Sequence, residues 1–234
     1  MGARTAVAVL VAAAGLAGCS AATPAAAPAG VPSTASSTVD SPVPSSAPAL
    51  APTSSLPLAP AVVRYVFPVH GMNSYAHTHH DYPATDIIAA CGTPVVAVTS
   101  GVVLEVTRVD RYNASANAGP TRGGLSVSLL GDDGVRYYGS HFSSVDATVV
   151  PGLRVAPGQP LGLVGRTGDA GACHLHFGIS PPCSRTGDWW IQRGVIWPWP
   201  YLDAWRGARD QSPVAEITSW QAAHGCPVKP MVDP

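Results

Sequence analysis

Lysine is almost absent from this chain of 234 residues: Lys229 is the single one, and arginine brings the cations only to 13 against 14 acids. With charged residues at 12% and a formal net charge of −1, there is no basic stripe to follow a phosphate backbone, so nucleic acid is excluded as a partner. Long apolar runs are missing too. The one at Ala6 to Leu16 is well short of the ~20 residues a bilayer-spanning helix needs, and no later segment does better. No C-x-x-C spacing occurs, which argues against a cysteine-held zinc. H-E-x-x-H is absent, so two metal-binding histidines cannot come from one helical face in that way. Before the tryptophan-rich tail no stretch of useful length repeats at the helical period, so little helix is expected there.

What is present begins with a processing signal. Arg4, the apolar run and the small residues Leu16-Ala17-Gly18-Cys19 form a secretory signal over residues 1–18. Its ending resembles a bacterial lipobox, which implies a lipid on Cys19 and a protein exported to the cell envelope and anchored to the outer face of the membrane. The simpler alternative is a plain signal peptide cut near Ala21 or Ala22. Residues 19–60 are almost wholly alanine, proline, serine and threonine, with Asp40 as the sole charge. Such a stretch has too few large apolar side chains to fold and is expected to be a disordered tether, reaching on the order of 120 Å if extended. Residues 61–234 then suffice for one domain with a tryptophan-rich C-terminal extension, expected to be monomeric.

That domain reads as all-β. Short runs rich in β-branched residues lie at 86–90, 95–98, 101–106, 125–130, 135–138, 148–150, 160–164 and 173–180, punctuated by glycine and proline. Gly131-Asp-Asp-Gly134 is a hairpin turn, and residues 110–124 form a long polar loop. The expected architecture is antiparallel sheets packed as a sandwich or open barrel, with a short helix over Pro200–Ala208. Beyond Cys19 the cysteines are Cys91, Cys173, Cys183 and Cys226, an even set that favours two disulfides in an exported protein. Three pairings are open. The turn at Pro181-Pro182 favours Cys173 with Cys183, leaving Cys91 with Cys226.

Chemistry concentrates at His174-Leu175-His176. On a strand, residues i and i+2 share a face, so both imidazoles project together while Leu175 and Phe177 pack behind them. A second cluster, His77, His79, His80, Asp81 and Asp86, is positioned to complete a metal site. A metal-dependent hydrolase is the expectation. His70 and His224 are read as solvated, and the aromatic tail (Trp189-Trp190, then Trp197 to Tyr201) as a packing cap rather than a sugar platform.

Asp86-Ile-Ile-Ala-Ala-Cys-Gly-Thr-Pro-Val-Val-Ala, Gly101-Val-Val, Gly158-Gln-Pro-Leu-Gly, Gly168 and His174-Leu-His-Phe-Gly-Ile resemble the LytM/lysostaphin-type zinc metallopeptidases, the M23 peptidase family. The resemblance runs in order from about Val66 to Ser180. It implies an antiparallel core, one Zn2+, and hydrolysis of peptide bonds in bacterial peptidoglycan, whose peptides would be the partner. It also implies zinc ligation by Asp86, His176 and a histidine of the His79-His80 pair, with His80 ahead of His79 and Asp81 or His77 as outsiders. His141 and His174 would be the catalytic pair that does not ligate. The family's first ligand histidine lies where this chain has Tyr82, and His80 is five intervening residues from Asp86. The rival reading is a non-catalytic wall-binding module or an activator of a wall amidase. A weaker one is a metal-scavenging lipoprotein, resting on the histidine cluster alone.

Overall fold

The computed structural model describes residues 63–183 and 188–228. The expected signal sequence at 1–18, Cys19 and the expected tether at 19–60 lie outside the described residues, all of which fall within one unit, Ser55–Pro234. Nine strands follow in chain order: β1 Asn73–Ser74, β2 Thr85–Ala89, β3 Pro94–Val96, β4 Gly101–Thr107, β5 Leu125–Gly131, β6 Arg136–Val145, β7 Arg154–Val155, β8 Pro160–Val164 and β9 His174–Ser180. Three helices close the described chain: α1 Trp189–Gln192, α2 Trp199–Arg206 and α3 Val214–His224.

Every strand pairing is antiparallel, along the path β1-β2-β9-β6-β5-β4-β7. Strand β6 belongs to two leaves. Its first half pairs with β5 and β9, and its second half pairs with β8, which carries β3. Val95 and Leu161 from the smaller leaf meet Val127, Leu129, Phe142, Leu175 and Phe177 from the larger one around a common interior. This is the expected all-β, open-barrel architecture.

The alternation within β9 fixes the site. Leu175 and Phe177 are 1% and 3% exposed in that interior, and burying each contributes roughly 1.5–3 kcal/mol. A register slip of one residue would drive the imidazoles into the core instead, so the histidine face is strongly specified. Helix α2 closes the core by burying Tyr201, Leu202 and Trp205. Trp205 stacks on Tyr65 at 5.2 Å and meets Tyr137 and Phe177 edge-on, and from the aromatic tail itself Tyr201 packs beside it as a capping residue.

Three expectations need correcting. Residues 148–150 form a turn, with the Val149 N–H donating to Asp146 O at 3.0 Å, and no strand forms there. Strand β6 runs on to Val145 instead of ending near Tyr138. The disulfides are Cys91–Cys173 and Cys183–Cys226, with Cα–Cα separations of 5.3 and 5.6 Å, in place of Cys173–Cys183 and Cys91–Cys226. The cause is sheet register. Because Ile88 lies opposite His174 in the β2–β9 ladder, the chain leaving β2 brings Cys91 beside Cys173, and Cys183 is left for the segment after α3.

Candidate metal centre

One row of paired residues crosses four strands: Asp86 on β2, His176 on β9, Ser140 on β6 and Ser126 on β5. His174 stands next to His176 on the same face of β9, and the loop before β2 brings His79 over the row. His79, Asp86 and His176 each offer one ligand atom, and these atoms all lie within 4.8 Å of one another. Asp86 Oδ1 is the hub, 3.0 Å from His176 Nδ1, 3.6 Å from His79 Nε2 and 3.7 Å from His174 Nε2.

His80 is not part of this group. Its side chain is 70% exposed and its Nδ1 lies 3.7 Å from Asp81 Oδ2, outside the ring of donors, whereas the His79 side chain is 2% exposed. Of the pair, it is His79 and not the expected His80 that the structure brings together with Asp86 and His176. The physical reason is the path of the inserted loop, which turns so that the Tyr82 carbonyl accepts a hydrogen bond from His79 Nδ1 at 3.1 Å. His77 is drawn away to α2, stacked on Trp199 at 4.2 Å with Nε2 3.2 Å from Asp203 Oδ2.

The tautomers are set by the main chain. His79 Nδ1 donates to Tyr82 O, His141 Nδ1 to Thr167 O at 2.7 Å, His174 Nδ1 to Ala172 O at 2.9 Å, and His176 Nε2 to Arg193 O at 2.9 Å. A carbonyl only accepts, so each imidazole commits one N–H outward. The other nitrogen then presents a lone pair within the site when the ring is neutral. For His176 that nitrogen is Nδ1, facing an Asp86 oxygen at 3.0 Å. Two acceptors at that distance need a cation or a proton between them. Two imidazoles and a carboxylate match the donor set of a catalytic zinc, and a carbonyl behind each imidazole is the usual outer partner of such a ligand.

Burial by itself would raise the Asp86 carboxyl. In the metal-free site, whenever His176 and His79 carry a second proton, their hydrogen bonds and the charges of His176 and His174 outweigh it and hold Asp86 well below the usual carboxylate range. For His141 burial also comes first, and here it sets the direction. Burial pushes its imidazole down to about 4, with His176 and His174 adding to the effect against the Thr167 carbonyl. His141 is thus a neutral base near pH 7.

His141 reaches the site through a β-bulge. Leu125 lies opposite Phe142 but Ser126 opposite Ser140, so His141 is the extra residue, with φ at 67° and its N–H donating to Gly123 O at 2.9 Å. Its ring centroid lies 4.6 Å from that of His174 and 6.1 Å from that of His176. Gly139-Ser140 in the sequence is the trace of this irregularity. Thr167 braces it: besides the carbonyl that receives His141, its hydroxyl donates to Phe142 O and accepts from Leu125 N–H.

The walls of the cleft include residues that motif reading passed over. Tyr82, Arg122, Tyr138, Asp169, Trp189, Gln192 and Arg193 all line it. Trp189 packs against Gly119 so closely that a Cβ there would collide with the indole ring, joining α1 to the 110–124 loop. One signal was available: Gly178 interrupts an otherwise well-packed strand, which marks a close backbone approach. A Cβ at Gly178 would strike the Arg193 carbonyl.

Residues 80–186 match the family model of Peptidase family M23. The L-Ala–D-Glu endopeptidase of Bacillus subtilis (strain 168) is 30% identical over 131 residues, covering 53% of this chain and 35% of that protein. The chain therefore spans about a third of the length of that curated relative. Among solved structures, the catalytic domain of the antimicrobial peptidase lysostaphin from Staphylococcus simulans is 26% identical, with a TM-score of 0.44 over 56% of this chain and 92% of that one. A zinc containing peptidase from Vibrio cholerae is 21% identical, with a TM-score of 0.39 over 50% of this chain and 36% of that one.

Proposed function

We propose that this chain is a zinc-dependent endopeptidase that hydrolyses peptide bonds of bacterial peptidoglycan, a reading supported by the match of residues 80–186 to the model of Peptidase family M23. The observation that carries the proposal is the cluster of His79, Asp86 and His176 ligand atoms beside two further imidazoles, His141 and His174, in an open cleft. When bound there, a zinc ion would supply Lewis acidity, lowering the pKa of a water toward neutrality and polarising a peptide carbonyl.

The chain's own residues do the rest. His79 Nε2, Asp86 Oδ1 and His176 Nδ1 would hold the ion. His141 and His174 keep their Nε2 atoms on the cleft side, because both Nδ1 atoms are bound to carbonyls. The neutral imidazole of one takes the proton from the attacking water and passes it to the leaving amine, and the other steadies the negative charge on the former carbonyl oxygen. Wall peptides as the substrate class draw support from the Bacillus subtilis relative, an L-Ala–D-Glu endopeptidase, and from the export signal. A lipid on Cys19, with the segment after it as a stalk, would hold the domain at the outer face of the membrane.

The test is digestion of purified peptidoglycan by the full chain with and without zinc, with released fragments identified by mass spectrometry. Zinc-dependent release of peptide fragments is expected. Equal digestion by metal-stripped protein would overturn the proposal.

A further inference from the structure

The outer support of the proposed metal centre comes from beyond the family-matched region. The match to the family model ends at residue 186, yet the carbonyl that receives His176 Nε2–H at 2.9 Å belongs to Arg193, just after α1. Three features fix that carbonyl. The Arg193 guanidinium lies between two rings, 3.8 Å from the Tyr82 centroid and 3.6 Å from that of Trp190. Its backbone passes so near β9 that only glycine fits at 178. The next peptide is tied to the sheet as well, with the Val195 N–H donating to Ile179 O at 3.0 Å.

From this we infer that Arg193 is a positioning residue for the metal ligand His176: its cation–π stack between Tyr82 and Trp190 holds its own carbonyl where it selects the tautomer that presents Nδ1 to the metal. The inference rests on the zinc reading above. Its physical content is indirect. The side chain acts by locking the peptide group that His176 leans on. A stacked guanidinium suits that task, being planar, permanently charged and weakly hydrated. Tyr82, at the position where the related enzymes carry a ligand histidine, serves here as one face of the stack. Its carbonyl also receives His79 Nδ1–H, so a single residue braces two ligands.

The experiment uses the full chain. Zinc affinity is measured by competition with a chelating dye, and the His176 Nε2–H proton of the zinc-loaded protein is followed by NMR for its exchange with solvent. Wild type is expected to bind zinc and to show a slowly exchanging Nε2–H. Arg193→Ala keeps the carbonyl but removes its anchor, and is expected to weaken zinc binding about 10-fold, the lower end of the usual cost of losing an outer partner, and to speed that exchange. Trp190→Ala should act in the same direction, while Trp190→Phe, which keeps a ring face under the guanidinium, should recover most of the affinity. If wild type binds zinc and Arg193→Ala stays within about twofold of it, or its Nε2–H exchanges no faster, the positioning role is wrong while the metal reading stands. If wild type itself holds no zinc, the metal reading falls and takes this inference with it.

Discussion

Replacing His79 and His80 one at a time separates two neighbours that the sequence makes almost equivalent. His79 Nε2 belongs to the ligand cluster and its side chain is 2% exposed, whereas the His80 side chain is 70% exposed and outside it. Structural zinc sites bind with roughly 10–16 kcal/mol shared among four ligands, so one imidazole accounts for on the order of 3 kcal/mol. At about 1.4 kcal/mol per decade, His79→Ala is expected to weaken zinc binding roughly a hundredfold. It also leaves the Tyr82 carbonyl without its donor, a further loss in the same direction. His80→Ala removes a solvated contact to Asp81 and a ring contact on His79 at 4.0 Å, each worth about 1 kcal/mol or less, so its affinity should stay within about tenfold of wild type. The assay is zinc competition with a chelating dye on folded, monodisperse protein. Severe loss in His80→Ala with near-normal binding in His79→Ala would refute the ligand assignment.

Other outcomes follow from the same geometry. His141→Ala and His174→Ala should each retain zinc while hydrolysis falls about 10²–10⁴-fold, the usual contribution of a positioned acid or base, read by metal content alongside fragment release. In metal-free protein an NMR titration should find His141 neutral down to about pH 4. Because its folded value lies below its unfolded value, the unfolded chain takes up this proton first. The contribution is then complete above the unfolded pKa of about 6.5 and is lost as pH falls toward 4, which acid unfolding followed by circular dichroism can test. Asp188 is 6% exposed and 2.9 Å from Nη2 of the buried Arg136. Asp188→Ala should cost about 3–5 kcal/mol by stranding that cation, lowering Tm by on the order of 10 °C, and an unchanged Tm would contradict the burial. Peptide mapping without reduction should recover Cys91 linked to Cys173 and Cys183 linked to Cys226, and mixed pairs would contradict the β2–β9 register.

The strands that the sequence made legible are those with apolar alternation or β-branched runs: β2, β4, β5, β8 and β9 fall within a residue or two of where the pattern puts them. The second half of β6 escaped because Gly139, Ser140, Ser143 and Ser144 read as turn residues, while in the sheet they serve a bulge and a change of partner strand. Helix α3 escaped for a different reason. It fully buries only Ile217, so it carries almost no apolar stripe to detect. The two histidines of β9 were readable because strand geometry alone puts them on one face, whereas Asp86 entered through the second histidine cluster and the family resemblance, and the β2–β9 ladder sets it opposite His176. The choice between His79 and His80 was not, since it depends on how an inserted loop turns. Arg193 carries no motif at all, and only the glycine opposite it leaves a mark in the sequence.

Four imidazoles here take their proton placement from peptide carbonyls, with no carboxylate or amide side chain standing behind them. Carbonyls do not titrate, and point mutation does not delete them. The ring orientations are thus written into the trace of the polypeptide itself. Nearby surface positions can drift in identity while the proton pattern persists, and what erodes it is a shift in backbone path, such as an insertion, a new proline or a side chain forced in at position 178.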